Sequence, residues 1–283
     1  MLGTVDAFIV FEPTSTYSRR LEAFCRAENI RCCQLNPRVV PHLRLIGRGR
    51  SKTDSSDAEL LYRYGIERGY GEAEELTSDA LAQELVACLA WFRVTQKARV
   101  AYQGLYEALE NDPATSETLL AGLRGEITDL KNKEVHHIGQ ATAAVSRHEE
   151  AGQQLQSLLS IPGIGPITAL TLLSLFRKHP AVSRSQIVAL VGLDPIQLQS
   201  GTSIHRKAKI SKRGNRQVRK RLYEATLSAA RYNPNIRSIY RRLKDQGRPD
   251  KVARTAAARK LLLIAHAIFK SGDVYRLPTE ETA

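Results

Sequence analysis

The chain has 283 residues, including 42 Lys or Arg and 29 Asp or Glu, which gives a formal net charge of +13 at pH 7. This length admits one large domain or two ordinary ones, and no run of about 18 apolar residues marks a membrane span. The four cysteines lack C-x-x-C spacing and the N-terminus lacks a signal-peptide pattern, so we expect reduced thiols and a cytoplasmic protein.

Residues 1–76 are predicted to form an α/β unit. An apolar run over 6–12 predicts a buried strand, 17–29 has the apolar spacing of an amphipathic helix, and 30–36 predicts a second strand. Strand, helix and strand at this spacing form a βαβ unit, so the two strands should be parallel. Thr53 or Asp54 can then cap a further helix.

Three carboxylates in this region are candidate metal ligands. Glu12 ends the first predicted strand, and Asp54 and Asp57 are three residues apart at the start of a helix, where they share one face. Such a set can hold Mg²⁺ for phosphoryl transfer. The alternative is that Asp54 and Asp57 only complement the helix dipole.

Residues 77–159 are predicted to be helical throughout, apart from a break at the sequence NDPAT. Apolar residues recur at helical or near-heptad spacing: Leu81, Leu85, Cys88, Leu89, Phe92, Leu119, Leu123, Ile127 and Leu130. This pattern predicts an antiparallel coiled-coil hairpin, which is a candidate dimerisation element. His136 and His137 have no matching ligands, so we interpret them as surface residues.

Residues 160–283 are predicted to be all-helical, with one exposed loop at 197–203. The turn IPGIGP opens an apolar helix and contains Gly163 and Gly165. It resembles a helix-hairpin-helix turn, in which backbone N–H groups bind a DNA phosphate without reading sequence. A tight turn between packed helices explains the same residues equally well.

The positive charge is concentrated in this region. Between Ser200 and Lys260, 19 Lys or Arg residues accompany three acids. A solvated face usually mixes both signs, whereas a block of one sign attracts a polyanion. We therefore expect a nucleic-acid partner.

Ser200 lies in the predicted loop just before the densest run of cations. These are Arg206, Lys207, Lys209, Lys212, Arg213, Arg216, Arg219 and Lys220. An exposed hydroxyl beside phosphate-binding cations suits a serine that attacks a phosphodiester. From the residues alone, an ordinary turn serine is the other interpretation.

Taken together, these stretches resemble the DEDD-type insertion-sequence transposases, relatives of the pilin-gene inverting recombinase. The resemblance is carried by EPTSTY, by NPRVVPHLRLIGRGRSKTDSSDAELL, and by LLSIPGIGPITALTLLS with VGLDPIQLQSGTS and ISKRGNRQVRKRLYEAT. It implies an α/β plus all-α fold. The expected regions are a partial RuvC-like (RNase H-type) domain over 1–76, a coiled-coil insertion over 77–159, and a helical C-terminal domain over 160–283.

The same resemblance implies roles for individual residues. Glu12, Asp54 and Asp57 would be the last three acids of a DEDD tetrad that binds Mg²⁺, and Ser200 would be the nucleophile of a transient serine–DNA link. The implied partners are DNA and a structured guide RNA encoded by the element, with the protein acting as a homodimer or homotetramer. A nucleoid-associated prokaryotic protein is expected.

Two features depart from the family pattern. Ser15 and Thr16 stand where the family tends to have two glycines. The strand carrying the first tetrad Asp should precede the Glu12 strand, yet three strands need on the order of 30 residues and only eleven precede Glu12. We therefore expect an N-terminally truncated chain. A RuvC-like structure-specific DNA nuclease and an inactive nucleic-acid-binding remnant are the alternative functions.

Overall fold

The computed structural model describes residues 8–12, 17–35, 53–68, 79–200 and 204–277. The chain forms two compact units, residues 1–77 and 78–283, so the coiled-coil region and the C-terminal region fall together in the second. In the described ranges, no helix is both long and apolar enough to span a bilayer.

The first unit contains the predicted βαβ arrangement. Strand β1 (Phe8–Phe11), helix α1 (Tyr17–Ala27), strand β2 (Arg31–Gln34) and helix α2 (Asp54–Arg68) follow in chain order. β1 pairs with β2 in parallel, with Phe8 opposite Arg31, which confirms the predicted direction. α2 approaches β1 closely at Gly65, where an added Cβ would lie 3.0 Å from Val10 Cγ2. The RuvC-like assignment of this unit stays a prediction.

The second unit begins with the predicted helical hairpin, formed by α3 (Ala80–Glu110) and α4 (Glu117–Ser146). Asp79 caps α3 by accepting a hydrogen bond from the Ala82 N–H (2.8 Å), and Ser116 caps α4. The apolar seam between the helices includes Leu85, Phe92, Leu120, Leu123 and Ile127, all buried. A heptad-like pattern thus forms an antiparallel pair within one chain.

Two sequence-based interpretations of this hairpin were wrong. Leu119 is 50% exposed, because its neighbour Leu120 occupies the seam. His137 is buried rather than on the surface, and its Nε2 lies 3.2 Å from Thr95 Oγ1, while His136 is exposed as expected. A buried polar ring needs such a partner, which explains how the seam tolerates a histidine.

The rest of the second unit is a compact helical body. Its helices are α5 (Glu149–Leu159), α6 (Pro166–Lys178), α7 (Arg184–Val191), α8 (Arg216–Tyr232), α9 (Pro234–Asp245) and α10 (Asp250–Ser271). α6 is buried on all sides from Thr168 to Phe176 and packs against α3, α5 and α8. A helix that is apolar all round belongs at the centre of a core.

The C-terminal region is not all-helical, which corrects the sequence-based prediction. Strands β3 (Pro195–Ser200) and β4 (Ile204–Ile210) form an antiparallel hairpin where a loop was expected. Apolar and polar residues alternate in the segment IQLQS, and Gly201 follows it. This is a strand-and-turn signal that the strong helical pattern on either side obscured.

Candidate nucleic-acid interface

The acid-bearing end of α2 is defined by a local cap. The Thr53 hydroxyl accepts a hydrogen bond from the Ser56 N–H (3.2 Å), and Ser56 Oγ accepts one from the Thr53 N–H (3.1 Å). Thr53 is therefore the N-cap, and Asp54 and Asp57 follow it in the first turn. Asp54 is exposed and Asp57 half-buried, so both carboxylates lie at the positive end of the helix dipole.

Glu12 directly follows β1 and is half-buried. Across the described ranges, no group of three or more His, Cys, Asp or Glu residues is arranged to hold a metal ion. The structure therefore places Asp54 and Asp57 together on one helical turn but does not gather Glu12 with them into a metal-binding cluster. The three-acid site stays a prediction that rests on the motif.

The glycine–proline turn between α5 and α6 packs against α8. Gly163 has a φ angle of +98°, and an added Cβ would lie 2.5 Å from the Ala229 Cα on α8. Close packing therefore explains why this position is glycine. Gly165 is exposed, caps α6 with φ −90°, and has nothing within 4 Å of an added Cβ. The phosphate contact predicted for both glycines stays a prediction.

A close backbone crossing links residues 190–192, at the end of α7, to residues 212–215, just before α8. The Lys212 N–H donates to the Gly192 carbonyl (3.1 Å) and the Asn215 N–H to the Leu190 carbonyl (2.8 Å). An added Cβ on Gly214 would lie 2.0 Å from the Leu190 oxygen, so a side chain there would clash with backbone. We call this crossing the clasp; it joins the end of α7 to the start of α8.

The β3–β4 hairpin projects from the clasp. Pro195 pairs with Ile210 at its base, and Ser200 pairs with Ile204 at its far end. Ser200 is five steps along β3 from Pro195, a length of about 17 Å at the usual rise of a strand. The predicted nucleophile is thus at the tip of a hairpin. Its side chain lies outside the described part of the structure.

The predicted cations differ in their surroundings. Lys209, Lys212, Arg213, Arg216 and Lys220 are exposed, whereas the side chains of Arg206 and Lys207 are outside the described set. The Arg219 guanidinium donates to the carbonyls of Val191 (2.7 Å) and Gly214 (2.8 Å), so this arginine helps to hold the clasp. Exposed cations on one side of α8 leave a positive surface beside the hairpin base.

A groove of about 510 Å³ lies between α8 and α10. We call it the α8–α10 groove, and its walls consist of Leu193, Ile210, Lys212, Arg216, Arg219, Lys220, Tyr223, Glu224, Lys251, Thr255 and Ala258. Five of these side chains are cationic, against one acid. The acid, Glu224, forms ion pairs with Lys220 (3.6 Å) and Arg221 (2.9 Å). The groove therefore has the charge of an anion-binding surface.

Comparison with known proteins assigns both units. Residues 4–89 match the DEDD transposase model of the IS110 type, described as "Transposase", and residues 155–241 match the model "Transposase IS116/IS110/IS902 family". The two matches fall on the acid-bearing unit and on the clasp with its basic helix, and together they cover more than half of the chain. The chain belongs to the IS110/IS116 transposase family.

Relatives that match over most of this chain support the same assignment. The pilin gene-inverting protein of Moraxella bovis is 26% identical over 273 residues, which are 95% of this chain and 81% of that protein. The uncharacterized 42 kDa protein of insertion element IS900 from Mycobacterium paratuberculosis is 27% identical over 73% of this chain and 53% of its own length. A probable family 20 transposase of Pseudomonas aeruginosa is 28% identical over 70% of this chain and 60% of its own length.

Sequence reasoning missed two residues that line the groove of this transposase and the packing role of a third residue, Arg221. Lys251 and Tyr223 line the groove from different helices. Tyr223 could have been found from its i, i+7 spacing to Arg216 on α8, whereas the position of Lys251 depends on how α10 packs on α8, which the sequence does not show. Arg221 continues the basic run but is buried. Its guanidinium donates to Gln96 Oε1 (2.8 Å) and lies 5.2 Å from the Phe92 ring centre. Arg221 therefore joins α8 to α3 rather than facing a ligand.

Proposed function

We propose that the chain cleaves and joins DNA strands at the ends of an insertion sequence through a covalent serine–DNA intermediate, with Ser200 as the nucleophile. The observation that carries this proposal is the position of Ser200 at the tip of a hairpin whose base is clasped to the basic helix α8. A hydroxyl at a projecting tip can reach a phosphodiester while the cations near the base hold the flanking phosphates.

The chemistry at Ser200 is a phosphoryl transfer. The Ser200 oxygen attacks the phosphorus and forms an ester, the bond from phosphorus to the leaving deoxyribose oxygen breaks, and the serine proton passes to a base while the leaving oxygen is protonated. A deoxyribose hydroxyl of the second strand then attacks the phosphoserine and releases Ser200. Lys209 on β4 and Lys212 in the clasp are exposed near the hairpin base, where they can hold phosphates that flank the reacting one.

Asp54 and Asp57 are proposed to serve the same reaction. Both are oxygen ligands on one helical turn, a donor set that suits Mg²⁺ with its remaining positions held by water and phosphate. Bound Mg²⁺ would neutralise phosphate charge. Glu12 completes the proposed set by resemblance to the family motif, although the described residues do not cluster it with the two aspartates.

The proposed partners are DNA and a structured RNA encoded by the element, with the chain acting as a homodimer or homotetramer. The support for a nucleic-acid partner is the exposed positive surface of α8 and the groove beside it. Phosphate contacts of this kind position a nucleic acid without reading its sequence, so a guide that pairs with DNA would supply the specificity. Function in the nucleoid follows from the same partners.

The decisive experiment traps the covalent intermediate. The full chain is incubated with labelled element-end DNA, the element's RNA and Mg²⁺, then denatured, and the protein is examined for attached label. We expect an adduct with the unaltered protein and none with Ser200→Ala. Ser203→Ala, a second serine three residues further along the chain, is the matched control and should retain the adduct.

Two results would contradict the proposal. An adduct that persists in Ser200→Ala would exclude Ser200 as the nucleophile. Strand cleavage that proceeds without any adduct in the unaltered protein would favour a RuvC-like nuclease that depends only on the acids.

A further inference from the structure

The α8–α10 groove brings two cations that the catalytic proposal does not use, Arg216 and Lys251, together with Lys212, which it does use. Lys212 and Arg216 contribute from the clasp and the start of α8, and Lys251 contributes from the start of α10. All three side chains belong to exposed residues. Within the described ranges, none of them forms an ion pair with an acid, so their charge is available to a ligand.

Two acids close to these cations in the groove wall or along the chain are already engaged. Glu224 is paired with Lys220 and Arg221, as described above. Asp250, the chain neighbour of Lys251, accepts a hydrogen bond from the Tyr240 hydroxyl (2.5 Å) and forms an ion pair with Arg254 (2.7 Å). The hydrogen bond from Tyr240 and the charge of Arg254 lower the pKa of Asp250. Its carboxylate therefore already has two partners, and no ion pair joins it to Lys251 among the described residues.

The wall of the groove also offers an aromatic ring. Tyr223 lies on α8 within two turns of Arg216, lines the same groove and is half-buried. A positively charged groove with an aromatic side chain is the arrangement by which proteins bind single strands, because phosphates meet the cations and a base stacks on the ring.

The size of the groove decides between a single strand and a duplex. A volume of about 510 Å³ corresponds to a cube about 8 Å on a side. One nucleotide fits in such a space. A whole duplex is too wide to enter this space, so it can contact the groove only through the outer phosphates of one strand, with its bases still paired and out of reach of Tyr223.

We propose that the α8–α10 groove binds one nucleotide of a single-stranded nucleic acid, with its phosphate at Lys212, Arg216 and Lys251 and its base on Tyr223. The ligand chemistry is the sugar–phosphate and base shared by single-stranded DNA and RNA. This proposal rests on the proposed function, because an enzyme that transfers DNA strands exposes single strands. It does not require Ser200 to be the nucleophile.

The test measures binding of the full chain to a fluorescent oligothymidylate and an oligouridylate about 12 nucleotides long, and to a duplex DNA, across a salt series. Lys251→Ala should weaken binding of the single strands and reduce the log–log salt slope by about 0.7, the value for one phosphate contact. The matched control is Lys133→Ala, which removes an exposed lysine of α4 that does not line the groove. It should leave single-strand affinity unchanged.

Substitution of Tyr223 gives a second measurement, which tests base stacking on the ring without changing the charge of the groove. Tyr223→Leu should weaken single-strand binding by about five- to a hundred-fold, while Tyr223→Phe, which keeps the ring, should bind as the unaltered chain does. Neither change should alter the salt slope or duplex affinity. Comparing the thymidylate and uridylate arms then shows whether the natural strand is DNA or RNA.

The outcomes separate the groove from the wider function. Single-strand affinity that is equal in Lys251→Ala and Lys133→Ala, or in Tyr223→Leu and Tyr223→Phe, would overturn the groove proposal alone. Failure of the unaltered chain to bind any of the three nucleic acids would overturn the proposed function as well. Lys251→Glu, a charge reversal at an exposed site, gives a second measurement if Lys251→Ala loses solubility.

Discussion

Gly163 and Gly165 occupy the same turn, yet their surroundings differ. Gly163 combines a φ angle of +98° with contact against Ala229, whereas Gly165 has an ordinary φ angle and open space around its Cα. A sequence can identify such a turn, because Gly and Pro punctuate it between two helical patterns. It cannot assign the two roles, since these depend on which glycine meets a helix some 65 residues further along the chain.

This contrast predicts different effects of the two alanine substitutions. Gly163→Ala should lower the free energy of unfolding by about 2–4 kcal/mol, because alanine disfavours positive φ and its Cβ would overlap α8. Gly165→Ala should cost less than about 1 kcal/mol, since only a weak helix cap changes. Chemical denaturation of the full chain measures both values.

DNA binding by the same two variants then tests the predicted phosphate contact. A stable Gly165→Ala chain with reduced duplex affinity would assign Gly165 to the DNA-binding turn. Equal losses of stability in the two variants would contradict the packing account of Gly163.

At the scale of elements, prediction succeeded where a pattern was local. The βαβ order and the helical hairpin follow from apolar periodicity within single segments, and the structure confirms both. Thr53 as a cap also follows from a local rule. The β3–β4 hairpin was missed because its short alternating strands lie within a strongly basic, mainly helical region, where composition outweighed a two-residue period.

The basic run of α8 shows a second limit of local reasoning. Arg216, Arg219, Lys220 and Arg221 look alike in the sequence, but the helix directs them to different neighbours. Arg216 lines the groove, Arg219 holds the clasp, and Arg221 packs on α3. The difference depends on the packing partners of α8, which the charge pattern does not contain.

We predict opposite phenotypes for the two ends of this run. Arg221→Ala should lower the free energy of unfolding by about 2–4 kcal/mol, because it leaves Gln96 without its donor and removes the cation from the Phe92 ring. Arg216→Ala should change stability by less than about 0.5 kcal/mol, since its side chain is exposed. Thermal or chemical unfolding of the full chain gives both values.

Nucleic-acid affinity should rank the same variants in the reverse order. Arg216→Ala removes a groove cation and should reduce the salt slope of binding, whereas folded Arg221→Ala should keep the slope of the unaltered chain. An Arg216→Ala chain that is destabilised but keeps the salt slope of the unaltered chain would contradict the assignment of Arg216 to the binding groove.

At the scale of the whole molecule, charge and chemistry are divided between the two units. Residues 1–77 contain eleven Lys or Arg and eleven Asp or Glu, so the net charge of +13 resides in residues 78–283. The proposed acids belong to the neutral unit, and the proposed nucleophile and the groove belong to the basic one. Polyanion binding and acid-dependent catalysis are therefore expected to be separable.

A fragment comprising residues 78–283 tests this separation. Its large connected core of buried residues extends from Leu81 to Ala265, and Asp79 both caps α3 and pairs with Arg177 of α6 at 2.6 Å. The fragment therefore has the buried apolar surface and the end cap it needs to fold alone.

We expect the fragment to unfold cooperatively. We also expect it to bind nucleic acid with the same salt slope as the full chain, because the phosphate-binding cations are all retained. We also expect no covalent adduct with DNA, since Glu12, Asp54 and Asp57 are missing. A shallower salt slope would mean that the first unit contributes phosphate contacts, and an adduct formed by the fragment would exclude these acids from the chemistry at Ser200.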